Sequence, residues 1–228
     1  MTISSTKWLS LFFFFGLAVV SAQDNLTGYW QPQFAIDYDV TPLYSHNFSM
    51  INRNYVVQEG ESKIKTRHLD VVHFSKINVQ NNQSIALGIL YRFREAFEDS
   101  ENELRLTQQF NLTSKPYVVR FGHRIRSEQR ITKSATVHRF RYRFAVDFPL
   151  KGEKLDIGEP YFVGTLENLL SVARSASPQY DTRLTGFIGW QLDANLKLQF
   201  GVEYRLEEYT SGLPQNVVFL LTTAQLSL

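Results

Sequence analysis

The chain has no cysteine in 228 residues. Disulfides, thiolate metal sites and a lipidated cysteine are excluded together, so an exported chain of this kind must be held by other means. Charge of one sign is also scarce: 24 Lys and Arg face 22 Asp and Glu, a formal net charge of +2. No basic field points to nucleic acid. Helical periodicity is almost missing, with "LENLLSVA" (166–173) its only suggestion. There is no G-x-S-x-G, no H-E-x-x-H and no phosphate loop. The five histidines (His46, His68, His73, His123, His138) lack metal-ligand spacing, and His68 and His73 differ in face parity. Neither a metal nor a cofactor is expected.

What is present begins with an address. Lys7 precedes the apolar run "WLSLFFFFGLAVV", which ends in "VSA" before Gln23. A charged start, an apolar stretch too short to span comfortably and a small-residue cleavage site read as a secretory signal peptide over 1–22. The competing reading is an uncleaved anchor. Residues 23–228 then form one domain, since a single hairpin-like repeat fills them. Four N-x-S/T sequons (Asn25, Asn47, Asn82, Asn111) carry little weight, because they arise easily by chance at this length.

Beyond the signal, period-two alternation recurs with polar or Gly/Pro/Asn/Asp punctuation between the segments. "FAIDYDV" sets Phe34, Ile36, Tyr38 and Val40 against Asp37 and Asp39. "SIALGILYRFR" sets Ile85, Leu87, Ile89, Tyr91 and Phe93 against Ser84, Ala86, Gly88, Arg92 and Arg94. "ELRLTQQFNL", "YVVRFGHRIR", "VHRFRYRFAVDF", "RLTGFIGWQL", "LKLQFGVEYRL" and "VVFLLTTAQLSL" continue the series, and weaker segments near 46–57, 66–75 and 159–168 bring it to eleven. The pattern predicts an all-β, antiparallel up-and-down transmembrane barrel of about 10–12 strands with a polar, charged lumen. Parity favours an even count when both termini share a side. "DVTPLY", "TSKP" and "LDAN" read as short turns on one rim, and "VQEGESK", "SEQRITKSAT", "ARSASPQYD" and "EEYTSGLPQ" as longer loops on the other.

Alternation alone does not say which face is wet, and a soluble lipocalin-like barrel would put oil inside. Three features favour oil outside. The strands outnumber the eight of that class. They are long enough for a tilted membrane crossing. Their apolar faces also end in aromatics such as Tyr91, Tyr142, Trp190 and Tyr204, as interfacial girdles do. "RFRYRF" is then tolerable: Arg139, Arg141 and Arg143 face a lumen where Glu103, Asp147, Glu167 and Glu203 share their parity. A lone guanidinium in a dry core would cost several kcal/mol.

"RFGHRIRSEQR", "HRFRYRFAVDFPL", "YFVGTLENLL", "YDTRLTGFIGWQL" and "LQFGVEYRLEEY" resemble an uncharacterised, domain-of-unknown-function family of Gram-negative outer-membrane β-barrels. The resemblance spans nearly the whole mature chain. Its most specific parts are Arg124-x-Arg126-x-Glu128-x-Arg130, the Arg139/Arg141-Tyr142-Arg143 block, Glu167 and Arg183. "ENELRL" is an imperfect match where that family carries an acidic residue. The resemblance implies a fold and an outer-membrane location, with membrane lipid, barrel-assembly machinery and periplasmic chaperones as partners. It implies no activity.

The candidate site is a lumen charge network of Arg92, Arg94, Arg105, Arg120, Arg124, Arg139, Arg141, Arg143, Glu167, Arg183 and Glu203. One reading is a structural ladder of ion pairs filling a narrow barrel. Another is a path or binding site for a small solute or anion, lined by guanidinium rings. An enzyme is the third class. Lipid-modifying barrels carry an outward Ser–His pair, and Ser127 and His138 both fall on the apolar face. No outward acid accompanies them, and a rim histidine beside an ordinary loop serine explains the same residues, so no enzyme is expected. "FGHRIR" and "RFRYR" interleave basic and aromatic residues as nucleic-acid binders can, but wall geometry accounts for them.

Overall fold

The computed structural model describes residues 26–58, 61–174, 176–210 and 214–228. The signal sequence expected over 1–22 lies outside the described residues. The described chain is eleven strands closed into one barrel, with no helix. In order they are β1 (Leu26–Thr41), β2 (Tyr44–Gln58), β3 (Glu61–Gln80), β4 (Gln83–Phe93), β5 (Glu103–Ser114), β6 (Arg120–Ile131), β7 (Thr136–Pro149), β8 (Pro160–Ala173), β9 (Ala176–Gln191), β10 (Leu196–Glu207) and β11 (Gln215–Ser227). Each expected segment falls on one of them. "LENLLSVA" is the second half of β8, where Glu167, Leu169 and Ser171 turn inward at a period of two, so its apparent helical spacing was coincidental.

Sequential neighbours pair antiparallel, and the barrel closes through a parallel pair of β1 with β11. Leu26 stands beside Asn216 and Asp37 beside Ser227. This corrects the expected even count. An odd number of up-and-down strands leaves the first and last running the same way, and only a parallel ladder can join them. The start of β1 and the end of β11 therefore lie at opposite rims.

The expected division into a short-turn rim and a long-loop rim is also corrected. Much of "VQEGESK", "SEQRITKSAT" and "ARSASPQYD" belongs to β2, β3, β6, β7, β8 and β9. Polar residues there keep their backbone bonds in the ladder and need only a solvated side chain, so the strands run on past the apolar band. The longest connections among the described residues are 94–102 and 150–159, on opposite rims.

The outer surface is oil. Phe34, Phe48, Met50, Leu87, Ile125, Phe140, Leu184 and Val202 are all exposed large hydrophobics. The inside divides into two arcs. Over β1, β2 and β11 charge is sparse: Tyr29, Tyr55, Val217, Phe219 and Leu221 cluster against Phe187, beside Gln31, Gln33, Thr223 and the inward Arg53. Over β3 to β10 it is dominated by charge. Two glycines make room for inward aromatics: a Cβ at Gly88 would lie 2.3 Å from Phe74, and one at Gly201 2.3 Å from Phe187. Each ring lies across the ladder over the glycine opposite it.

The native chain offers a cysteine-free background for testing the closure. Gln33→Cys with Thr223→Cys, inward partners in the parallel register, should cross-link on oxidation. Gln33→Cys with Asn216→Cys should not. Non-reducing gel mobility reads the difference, and the reverse pattern would rule out this seam.

Candidate functional site

The inner face of β3 to β10 is built by the strand period. Along β7, Arg139, Arg141 and Arg143 turn inward while Phe140 and Tyr142 turn out. Register then sets carboxylates beside them: Arg143 opposes Glu167, which in turn opposes Arg183. Arg141, midway along β7, donates to Glu128 at 2.8 Å and to Glu167 at 2.5 Å. Arg143 donates to Glu167 at 2.9 Å, with Arg183 at 3.7 Å and Arg124 at 3.9 Å from the same carboxylate. Glu167 thus gathers guanidinium groups from β6, β7 and β9.

A second hub is Glu103, which takes a two-pronged contact from Arg130 at 3.0 and 2.6 Å, with Arg105 and Arg94 on the same oxygens. A third contact is the fork of Arg92 on Asp70, both bonds 2.6 Å. Glu203 accepts from Arg205 at 2.5 Å and from the Thr185 hydroxyl at 2.8 Å. Glu103, Glu128 and Glu167 are fully buried. Ions so withdrawn from water are tolerable only when paired and hydrogen-bonded, which is what this lattice supplies.

Ten of the eleven expected residues belong to this lattice. Arg120 does not: its side chain is 57% exposed and binds Asp147 at 2.8 Å near the opposite rim, apart from the hubs. Arg126, Glu128 and Arg130, visible in the alternation of β6, join it. Sequence reasoning did not single out Arg53, His68, Asp70 or Asp181. On β3, apolar Val72 and Phe74 share the inward face with His68 and Asp70, so no clean polar face marks the strand. Two residues from Asp70, His68 was the available signal.

The space inside is divided. One cavity of about 170 Å³ lies toward the rim where β1 begins, lined by nine arginines with His68 and Glu207. Another of about 300 Å³ occupies the middle of the lumen. Arg53, Arg92, Arg105, Arg183 and Arg205 line both, so these five side chains stand where the two spaces adjoin.

On the outer wall, Ser127 stands opposite Phe140 and His138 opposite Gln129. The two are diagonal neighbours, a spacing of about 7–8 Å between backbones, and no hydrogen bond joins them among the described residues. Glu128, between them in sequence, points inward to Arg141. His68 faces the lumen, whereas His73 faces out and hydrogen-bonds His46 at 3.0 Å.

Residues 27–216 match the family model described as Protein of unknown function (DUF2490). No curated protein and no solved structure matches the chain.

Removing a hub should cost far more than removing a rim pair. Glu167→Gln leaves several buried guanidinium groups short of a counter-charge and should destabilise by about 3–5 kcal/mol. Arg120→Gln should cost less than about 1 kcal/mol, as for an exposed pair. Equilibrium urea unfolding of the refolded barrel measures both.

Proposed function

The chain belongs to the DUF2490 family of proteins of unknown function, and for this member we propose an integral outer-membrane barrel that is closed to bulk flow and binds a small solute. The observation that carries this reading is the inversion of polarity. Exposed Phe, Leu, Ile and Val cover the outside, and paired Arg and Glu fill the inside. In water such a wall would leave a very large apolar surface uncovered. In a bilayer the same wall is solvated by lipid, and closure leaves no unpaired strand edge. Strands of 11 to 20 residues meet or exceed the 9–11 or so that a tilted crossing needs. Outward Tyr91 and Tyr204, near the ends of β4 and β10, suit the headgroup level, whereas Tyr142, expected with them, lies midway along β7.

Closure to flow is supported by the five arginines where the two cavities adjoin and by the Glu128–Arg141–Glu167 chain, side chains that narrow the lumen where a porin keeps it open. Export by the amino-terminal signal, insertion by barrel-assembly machinery with periplasmic chaperones, and contact with membrane lipid belong to the same reading. So does the expectation of no catalytic role, since among the described residues no acid pairs with the outward His138 beside Ser127.

Two measurements test it. Refolded protein in planar bilayers should give no porin-sized conductance steps, and such steps would refute closure. Tyr142→Arg forces a cation toward hydrocarbon and should destabilise the barrel by about 2–4 kcal/mol near the midplane, while Tyr142→Leu should be nearly neutral. Equal folding of both variants in bilayers, with extraction of the wild type into aqueous buffer, would refute the lipid-facing assignment.

A further inference from the structure

Most arginines of the lattice have a carboxylate at hydrogen-bonding distance. Several of those around the smaller cavity do not. Among the described residues Arg53 donates only to the amide oxygen of Gln31, at 3.0 and 2.8 Å, and its guanidinium lies 4.7 Å from the centre of the Phe219 ring. Arg139 lies 3.9 Å from Asp181 and Arg183 3.7 Å from Glu167, both beyond a good hydrogen bond. The Nε donors of Arg94 and Arg183 are buried with no partner.

His68 is the decisive neighbour. It is 1% exposed and lines the cavity, yet among the described residues neither ring nitrogen has a hydrogen-bond partner. The nearest carboxylate oxygen, on Asp70, is 3.8 Å from Nε2. Buried donors left unmade cost free energy and are rare in folded proteins. Here three of them, with an excess of positive charge, surround one space. Glu207 is the only carboxylate among the described residues that line it.

The shape selects the kind of anion. Arg53, His68, Arg139 and Arg183 come from β2, β3, β7 and β9, and Arg94 from the connection just after β4, so the donors converge from around the circumference. A planar carboxylate presents two oxygens in one plane. A tetrahedral phosphoryl group presents three in different directions and matches guanidinium forks on several sides. A volume of about 170 Å³ is room for roughly ten waters on the measure of ~15 Å³ for one, which is ample for such a group. An adjoining cavity of about 230 Å³ shares Arg53, Arg67 and Glu207 with the first and presents Tyr29, Tyr55 and Phe219. It supplies a ring-lined space for whatever the phosphoryl group is attached to.

We propose that the cavity bounded by Arg53, His68, Arg94, Arg139 and Arg183 binds a phosphate group, either as the free ion or as the end of a small phosphomonoester. The proposal rests on the binding-barrel reading, and the two fail separately. Conductance steps refute closure whether or not phosphate binds, while absence of phosphate binding leaves closure intact.

The test is isothermal titration of the protein refolded in detergent, at constant ionic strength, with inorganic phosphate, a hexose 6-phosphate, the unphosphorylated hexose and chloride. Both phosphates should bind, and the hexose and chloride should not. A tighter hexose phosphate identifies an ester as the occupant, and equal or tighter inorganic phosphate identifies the free ion. His68→Phe removes two nitrogens that bond nothing in the fold, so the barrel should stay folded while phosphate affinity falls at least about tenfold. Arg183→Gln should weaken binding similarly. No binding by either phosphate, binding matched by chloride, or affinity unchanged in both variants overturns the proposal.

Discussion

A guanidinium turned away from bulk water must find carboxylate oxygens, and the barrel is arranged around that requirement. Glu167 draws together β6, β7, β8 and β9, Glu103 draws together β5, β6 and the connection after β4, and Asp70 ties β3 to β4. These contacts fix register more firmly than hydrophobic packing alone would. A slip of one residue along β7 would carry Arg141 to the outer wall and Tyr142 to the lumen. That would expose a cation to whatever covers the outside and leave Glu128 and Glu167 without their shared partner. Charge inside and oil outside are therefore two aspects of one register.

The charge-poor arc of β1, β2 and β11 complements the lattice. A fully charged ring would need every member paired, whereas Tyr29, Tyr55 and Phe219 close the circle with groups that require no counter-ion. Where the arcs meet, guanidinium groups lie against rings: Arg205 is 3.8 Å from the centre of the Phe219 ring, and Arg53 sits over the same residue. Such stacking holds the cation without neutralising it. Arg205 is also paired with Glu203, whereas Arg53, which donates to the Gln31 amide, keeps its charge available in contrast to the arginines at the Glu103 and Glu167 hubs.

Strand positions and the inward faces of β4 to β7 and β10 were legible because both faces of those strands are chemically clean, and a period of two needs only local sequence. The inward direction of Arg141, with an acid on each side, followed from parity. The parallel pairing of β1 with β11 was not legible, because nothing within either strand records which strand will lie beside it. Arg53, His68 and Asp70 were missed for a related reason. Their strands mix apolar and polar residues on the inward face, so burial there depends on what stands across the lumen. The exposed position of Arg120 was equally hidden, since alternation gives a side but not a height. The expected long loops failed because polar composition was taken to mark the end of a strand, when it marked only the end of the apolar band.

The parallel seam also constrains how such a barrel can diverge. Up-and-down sheets grow or shrink most simply by a hairpin, which changes the strand number by two. Eleven can become nine or thirteen by that route and stay odd, so the seam is inherited through every such step. Passing to an all-antiparallel barrel requires gain or loss of a single strand, which moves one end of the sheet to the other rim. Parity is thus a more durable ancestral character than strand number, and descendants that differ in size would still be recognisable by a parallel closure.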